Sequence, residues 1–281
     1  MPLFVVATPI GNLEDWSPRA ARVLGEVDVI ACEDTRVTRK LLAAHSIATP
    51  LERFDAHVER RDLEGWLGRL ESGASIALVS DAGTPGLSDP GRRLVAACRA
   101  RGIAVSPIPG PSALTAALSA SGLPAEPLVY LGFIARSGRA RRAALEPLDR
   151  LPATVALYES GPRLPRTLAE LAERWGDRPA VVAREVTKKH ETFLSGTLRE
   201  LAERVREPPK GEIVLLIGPP VLTDAAPDAE DLDARVRAAL EAAPGAPAKT
   251  VAADVARATG ASKRAVYQRV LRLRAEGLTP T

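Results

Sequence analysis

The 281-residue sequence predicts an α/β protein with a parallel-rich first sheet, a mixed second sheet and a small helical module at the C-terminal end. Three observations lead there. Short apolar runs at 3–7, 27–31, 75–80 and 103–106 alternate with stretches of helical periodicity, the rhythm of a parallel sheet wrapped by helices. From 128 onward the apolar runs crowd together. Those at 180–184 and 191–195 are too close for a helical crossover, so the second sheet is expected to be mixed. After Pro219-Pro220 the composition turns first acidic and Ala/Pro-rich, then basic.

Composition supports this reading. An apolar content of 46% is enough for real cores, and 26% charged residues is ordinary for a globular chain. Net charge is only +3, but the basic residues are 32 Arg against 6 Lys, and the planar guanidinium suits phosphate and stacking. Cys32 and Cys98 sit inside strand and helix patterns and read as small buried apolar residues. Together with His45, His57 and His190 they form no metal-ligand spacing, so no metal is expected. The N-terminal residues lack a secretory pattern and no apolar run approaches membrane-spanning length, so a cytoplasmic, membrane-free protein is expected.

In chain order, strand 3–7 leads to a turn and a helix through 19–24. Strand 27–31 is followed by a helix at 38–44. Val58, Leu63, Trp66, Leu67 and Leu70 place one helix over 57–70. Strand 75–80, helix 91–101, strand 103–106 and a small-residue helix from Ser112 to 121 complete a first domain, 1–121. Residues 122–127 read as a linker. The second domain, 128–220, has strands at 128–133, 154–158, 180–184, 191–195 and 212–217, with helices at 138–148, 164–175 and 198–205. Residues 221–248 read as a second linker, with a flexible acidic tether at 224–230. The tail, 249–281, reads as a basic helix-turn-helix-like pair around 259–262.

Four strand-end turns share a character: Thr8-Pro-Ile-Gly11, Glu33-Asp-Thr-Arg36, Asp81-Ala-Gly-Thr-Pro85 and Pro109-Gly-Pro-Ser112. In a parallel sheet such turns gather at the carboxyl edge, where ligands bind. Most offer glycine, proline and small hydroxyls, and hence backbone groups at close range. Neither GxGxxG nor GxxxxGK[ST] occurs, which disfavours a dinucleotide or a nucleoside triphosphate. The residues leave the ligand open beyond that.

These motifs, with Ser88-Asp-Pro-Gly91, Tyr158-Glu-Ser160, Arg184-Glu-Val-Thr-Lys188 and Lys210-Gly-Glu212 in this order, resemble the tetrapyrrole methylase fold of class III methyltransferases. Within it, the chain is similar to the bacterial ribosomal RNA small subunit methyltransferase I family, over essentially all of 3–218 and more weakly beyond. The resemblance implies two α/β domains with S-adenosyl-L-methionine between them. It implies 2′-O-methylation of a cytidine in 16S rRNA at the decoding centre, on the assembled small subunit, by a homodimer. By motif position it puts Pro9, Gly11, Asp81, Ala82, Gly83, Thr84, Pro85, Ser112, Ala113, Tyr158 and Thr187 around the donor.

A sugar hydroxyl needs somewhere to send its proton. Asp34, Glu185 and Lys188 are the cleft candidates, unranked. The bland alternatives are a helix cap at Asp34 or Thr35 and an edge strand with solvated charges at 184–188. For RNA, Arg36, Arg136, Arg139, Arg141, Arg142, Lys263 and Arg264 are the expected contacts, with a solvated helix face as the alternative for the cluster at 136–142. Two other functions fit less well: methylation of a tetrapyrrole or other small molecule, and a ligand-sensing DNA-binding regulator.

Overall fold

A computed structural model describes residues 2–149, 151–220, 229–259 and 261–275. The first sheet holds β1 (Leu3–Val6), β2 (Val29–Cys32), β3 (Leu51–Arg53), β4 (Ile76–Leu78) and β5 (Val105–Ile108) in the order β3-β2-β4-β1-β5. All its pairings are parallel. On one face lie α1 (Pro18–Glu26) and α2 (Thr35–Ala44), with Val6, Ala20, Leu24, Ile30 and Leu42 in their shared core. Leu67, Leu70, Leu78, Leu94 and Cys98 form the core of the other face, beneath α4 (Leu63–Glu71) and α5 (Arg92–Ala100). The inner strands β2 and β4 are buried on both faces, which is why they read as continuous apolar runs.

Two readings are corrected here. The helix expected over 57–70 is two, α3 (Ala56–Arg61) and α4, broken at Asp62. The apolar stripe runs across the break because both pieces bury the same side. Strand β3, absent from the sequence reading, pairs only with β2 at the sheet edge; two of its three side chains are exposed, so it carries little apolar signal.

The second sheet holds β6 (Leu128–Phe133), β7 (Thr154–Ser160), β8 (Pro179–Arg184), β9 (Thr192–Thr197) and β10 (Glu212–Ile217) in the order β6-β7-β10-β8-β9. Only β6 and β7 are parallel; the rest run antiparallel, as the close spacing after 180 requires. Side chains alternate across it. Val155 and Leu157 face α8 (Leu164–Trp175) and α9 (Leu198–Arg204), whereas Ala156, Val214 and Leu216 meet Leu114 and Ala117 of α6 (Ala113–Ser119) and Ile10. That second contact joins the two sheets into one compact unit ending at Pro220.

The described residues of the C-terminal unit form three helices: α10 (Ala229–Ala242), α11 (Ala248–Thr259) and α12 (Lys263–Ala275). Helix α10 overturns the reading of 221–248 as a linker; 224–228 of the supposed tether lie outside the described residues. Leu232, Val236 and Leu240 repeat every fourth residue on α10 and pack against Val251, Val255, Val266 and Val270. Asp233 of α10 accepts from Arg269 at 3.0 Å and from Arg272, while Arg274 donates to the Ala246 carbonyl at 2.5 Å. Part of the tail's basic charge is therefore used inside its own bundle.

Candidate functional site

Because β4, β1 and β5 are neighbours, the turns that follow them lie side by side. Thr8 and Gly83 exchange backbone hydrogen bonds, at 2.9 and 3.1 Å. Thr84 Oγ1 donates to the Pro111 carbonyl at 3.2 Å. Gly110 passes so close to β1's end that a Cβ there would stand 2.9 Å from the Ala7 Cβ. Three turns distant in sequence thus make one rigid edge, as the parallel topology predicts.

Against this edge the second sheet closes a cavity of about 370 Å³. From the first half come Ile10, the loop residues Asp81, Ala82, Gly83, Thr84, Leu87, Ser88 and Asp89, and Ser112 with Ala113 at the start of α6. From the second come Phe133, Tyr158, Glu159, Ser160, Val186 and the start of β10, Gly211 to Val214. Tyr158 stacks edge-on against Tyr130 (5.2 Å) and Phe133 (5.5 Å). Burial and the Tyr130 ring beside it push the Tyr158 phenol up, so it stays neutral. Ser88 Oγ and the Tyr130 hydroxyl lie 2.8 Å apart and tie the loop to β6.

Of the expected donor residues, Asp81, Ala82, Gly83, Thr84, Ser112, Ala113 and Tyr158 line this cavity; Pro9, Gly11, Pro85 and Thr187 do not. Their immediate neighbours Ile10 and Val186 do. Gly11 instead makes room for Lys188: a Cβ at Gly11 would be 2.3 Å from Lys188 Cγ. Of the four described non-glycine residues in the left-handed region, Ser88 lines the cavity, and Glu185 and Thr187 flank its wall residue Val186. Such conformations cost about 1–3 kcal/mol each and gather at ligand sites. Thr187 Oγ1 is moreover buried without a hydrogen-bond partner.

The expected proton acceptors fare less well. Asp34 does not line the cavity; it caps α2, accepting from the Arg36 N–H at 2.8 Å, and pairs with the Arg36 guanidinium at 2.6 Å. These bonds hold its carboxyl far below the usual carboxylate range. Its own N–H donates to Asp81 Oδ1 at 3.0 Å, so its backbone orients Asp81. Glu185 accepts from the Glu212 N–H and from Lys188 Nζ, at 2.9 and 3.0 Å, and is likewise held low. Lys188 bridges Glu185 and Glu212 (2.8 Å), which keep it charged. The cap reading of 33–36 describes Asp34 correctly, and Glu185 and Lys188 form a clasp beside the cavity.

In the sequence Asp89 stands with Asp81 as one of two carboxylates of the rigid turn, with a cap of the next helix as its bland reading, and it was not among the expected site residues. It lines the cavity, half-buried, near Glu33 and Asp81. Burial first, then the Glu33 carboxylate, push it up to about 6. The signal was available: Ser88-Asp-Pro-Gly91 closes the same loop that supplies Asp81.

The expected RNA contacts divide. Arg136, Arg139, Arg142, Lys263 and Arg264 are exposed. Arg36 is exposed but bound to Asp34. Arg141 is a correction: it is 4% exposed, pairs with Glu170 at 2.7 Å, and donates to the Ala135 carbonyl and Thr167.

Residues 2–202 match the family model of the Tetrapyrrole (Corrin/Porphyrin) Methylases, and 226–274 that of the RsmI C-terminal HTH domain. Proteins named Ribosomal RNA small subunit methyltransferase I from Xylella fastidiosa (strain Temecula1) and Synechocystis are 47% and 43% identical, over 94% and 98% of this chain and 97% and 99% of their own. The chain belongs to the ribosomal RNA small subunit methyltransferase I family of tetrapyrrole methylases. Solved structures of the wider fold agree. A uroporphyrin-III C-methyl transferase from Thermus thermophilus, complexed with S-adenyl homocysteine, superimposes with a TM-score of 0.54 at 21% identity, covering 77% of this chain and 97% of that one. Diphthine synthase gives 0.59 at 13%, covering 77% and 89%. The family match at 226–274 takes in α10, consistent with its place in the C-terminal bundle. Among the described residues no helix is long and apolar enough to cross a membrane, and no cluster fit for a metal ion occurs.

Proposed function

We propose that this chain transfers a methyl group from S-adenosyl-L-methionine to a ribose 2′-oxygen of small-subunit ribosomal RNA. The observation that carries this is the match, along nearly the whole chain, to proteins of that name. A tetrapyrrole acceptor loses to it because the relatives that share the C-terminal helices as well as the sheets are named for ribosomal RNA.

The cavity suits the donor. Its volume lies within the range of small-molecule sites, and its walls mix apolar side chains with close backbone and carboxylates but no phosphate loop. Asp81, Ala82, Gly83 and Thr84 would hold it from one side, and Ser112, Ala113, Tyr158 and Val186 from the others. The bound sulfonium supplies an already activated methyl, so positioning the acceptor does much of the remaining work, up to about 7–11 kcal/mol.

Asp89 is the carboxylate best suited to receive the hydroxyl proton. It faces the cavity and is poised near neutral pH, whereas Asp34 and Glu185 are committed to other partners. The Lys188 clasp fixes the strained 185–187 loop and thereby Val186. A cytidine as the target, the assembled subunit in the cytoplasm as the substrate, and a homodimer as the acting form belong to the same proposal.

The test is single-turnover transfer from labelled donor to small subunits, free 16S rRNA, uroporphyrinogen and duplex DNA, with mapping of 2′-O-methyl positions. Label on a cytidine ribose of the subunit is the expected result; label on the tetrapyrrole alone would overturn it.

A further inference from the structure

We propose that the recess next to the donor cavity is a phosphodiester subsite for the RNA strand that carries the acceptor ribose. The recess, about 360 Å³, is lined by Arg136, Arg141, Pro162, Arg163, Arg166 and Thr167, and it shares Ser160 with the cavity. This rests on the reading that the acceptor is an RNA ribose and goes further by placing its backbone.

The floor of the recess is fixed from inside. Glu159, whose side chain is fully buried, accepts from the Ser160 N–H (2.9 Å) and from Thr167 Oγ1 (2.7 Å), and pairs with Arg163 Nε at 3.0 Å. A second Arg163 nitrogen donates to the Ile134 carbonyl at 2.9 Å. Arg141 is held by Glu170 and Thr167. Four guanidiniums thus face two carboxylates, Glu159 and Glu170, and the surplus is two positive charges. That surplus resides at the rim: Arg136 and Arg166 are exposed and have no acidic partner among the described residues. A built recess with uncompensated guanidiniums fits an anion with several acceptor oxygens.

Chemistry says which anion. The 2′-oxygen and the 3′-phosphate sit on adjacent carbons of one ribose. An acceptor whose 2′-oxygen enters the donor cavity must therefore carry a phosphate just outside it. Ser160, the shared wall, marks the side on which the arginine recess lies. Arg136 lies in the bend just before α7 (Gly138–Leu145) and Arg166 on α8, so the rim draws on two separate stretches of chain.

The experiment compares Arg136→Ala/Arg166→Ala with wild type and with Arg139→Ala/Arg142→Ala, two exposed arginines of α7 outside the recess. Small-subunit binding is titrated from low to moderate salt, donor binding is measured by calorimetry, and inorganic phosphate is added as competitor. The recess pair is expected to weaken RNA binding about tenfold and to flatten the log–log salt slope by about 1, one phosphate contact, with donor affinity unchanged. The outer pair should lower the slope less. Equal effects from both pairs would reduce the recess to a diffuse basic face and overturn the proposal, as would no effect from the recess pair. Competition by inorganic phosphate that persists in the recess double variant would also count against it. Failure of the underlying reading looks different: wild type would leave the subunit unmethylated.

Discussion

Glu59 tests whether the donor loop is held from outside the cavity. This α3 residue is 6% exposed, and its Oε1 accepts from the backbone N–H groups of Gly91 (3.1 Å), Arg93 (2.9 Å) and Leu94 (3.1 Å). These are orphan donors at the first turn of α5, where the loop carrying Asp81 and Asp89 ends. The joint has little freedom to rebuild. Gly91 has φ +117°, and a Cβ there would lie 2.4 Å from Leu78 Cδ2. In Glu59→Ala the bonds to Gly91 and Leu94 lose their acceptor while buried. Each orphaned donor costs about 1–3 kcal/mol, so two give about 2–6 kcal/mol. Water entering the vacated space favours the lower half, about 3 kcal/mol. At a urea dependence of about 2–3 kcal/mol per molar, the unfolding midpoint should fall by about 1–1.5 M. Glu59→Gln keeps the Oε1 acceptor and loses only charge near a helix start, about 0.3–1 kcal/mol. Urea titration followed by circular dichroism measures both, and calorimetry with S-adenosyl-L-methionine should show weaker donor binding for Glu59→Ala although Glu59 lies outside the cavity. A Glu59→Ala protein within about 0.5 kcal/mol of wild type would refute the reasoning, because that is the range of an ordinary surface substitution.

Other outcomes follow from the same geometry. Asp89 is pushed up to about 6 and must be ionised to accept a proton, so log kcat/KM should rise with pH with slope about 1 below about 6 and level off above. Asp89→Asn should leave a low, flat profile in a pH series of initial rates. Arg141→Ala breaks a part-buried pair and leaves Thr167 and the Ala135 carbonyl without their donor, which should cost about 3 kcal/mol by thermal or urea unfolding. Gly11→Val would drive a side chain into Lys188, displace it from Glu185 and Glu212, and shift the Val186 wall; single-turnover transfer should fall by up to about 100-fold, the scale of a misplaced binding wall.

The parallel alternation was legible because buried strands must be apolar throughout and their turns must carry glycine and proline. The convergence of the turns after β1, β4 and β5 followed from that topology alone. On two turns the motif came within one position of the lining residue: Ile10 beside Gly11, Val186 beside Thr187. The miss has a physical source. Motif position identifies a turn, but which of two adjacent side chains faces the ligand depends on local φ and ψ, and residues 185 and 187 adopt left-handed values that no side-chain pattern announces. Asp89 was legible as a turn carboxylate but received no role, because its chemistry comes from burial near Glu33 and Asp81, carboxylates brought together by packing. Helix α10 escaped because an acidic, alanine-rich stretch resembles a tether until Leu232, Val236 and Leu240 are given something to pack against.

The arginines carry the same lesson at the level of charge. With 32 of them, a local cluster says little about which ones meet RNA. Arg178 is 4% exposed, donates to the carbonyls of Gly218, Ala153 and Leu148, and stacks on Trp175 at 4.8 Å; it is a structural clip. Arg141 is another, and its fate was written in the helix period. Residues 141 and 145 share one face of α7, and Leu145 is buried, so the guanidinium at 141 is carried inward with it. Arg139 and Arg142 fall off that stripe and stay in solvent. Charge in the 136–142 run therefore does two jobs; helix phase sorts Arg141 from Arg139 and Arg142, and Arg136 lies in the bend before the helix. The inward arginine braces the recess floor through Thr167 and Glu170, and an exposed one, Arg136, stands at the rim with no acidic partner among the described residues, placed to meet a phosphate.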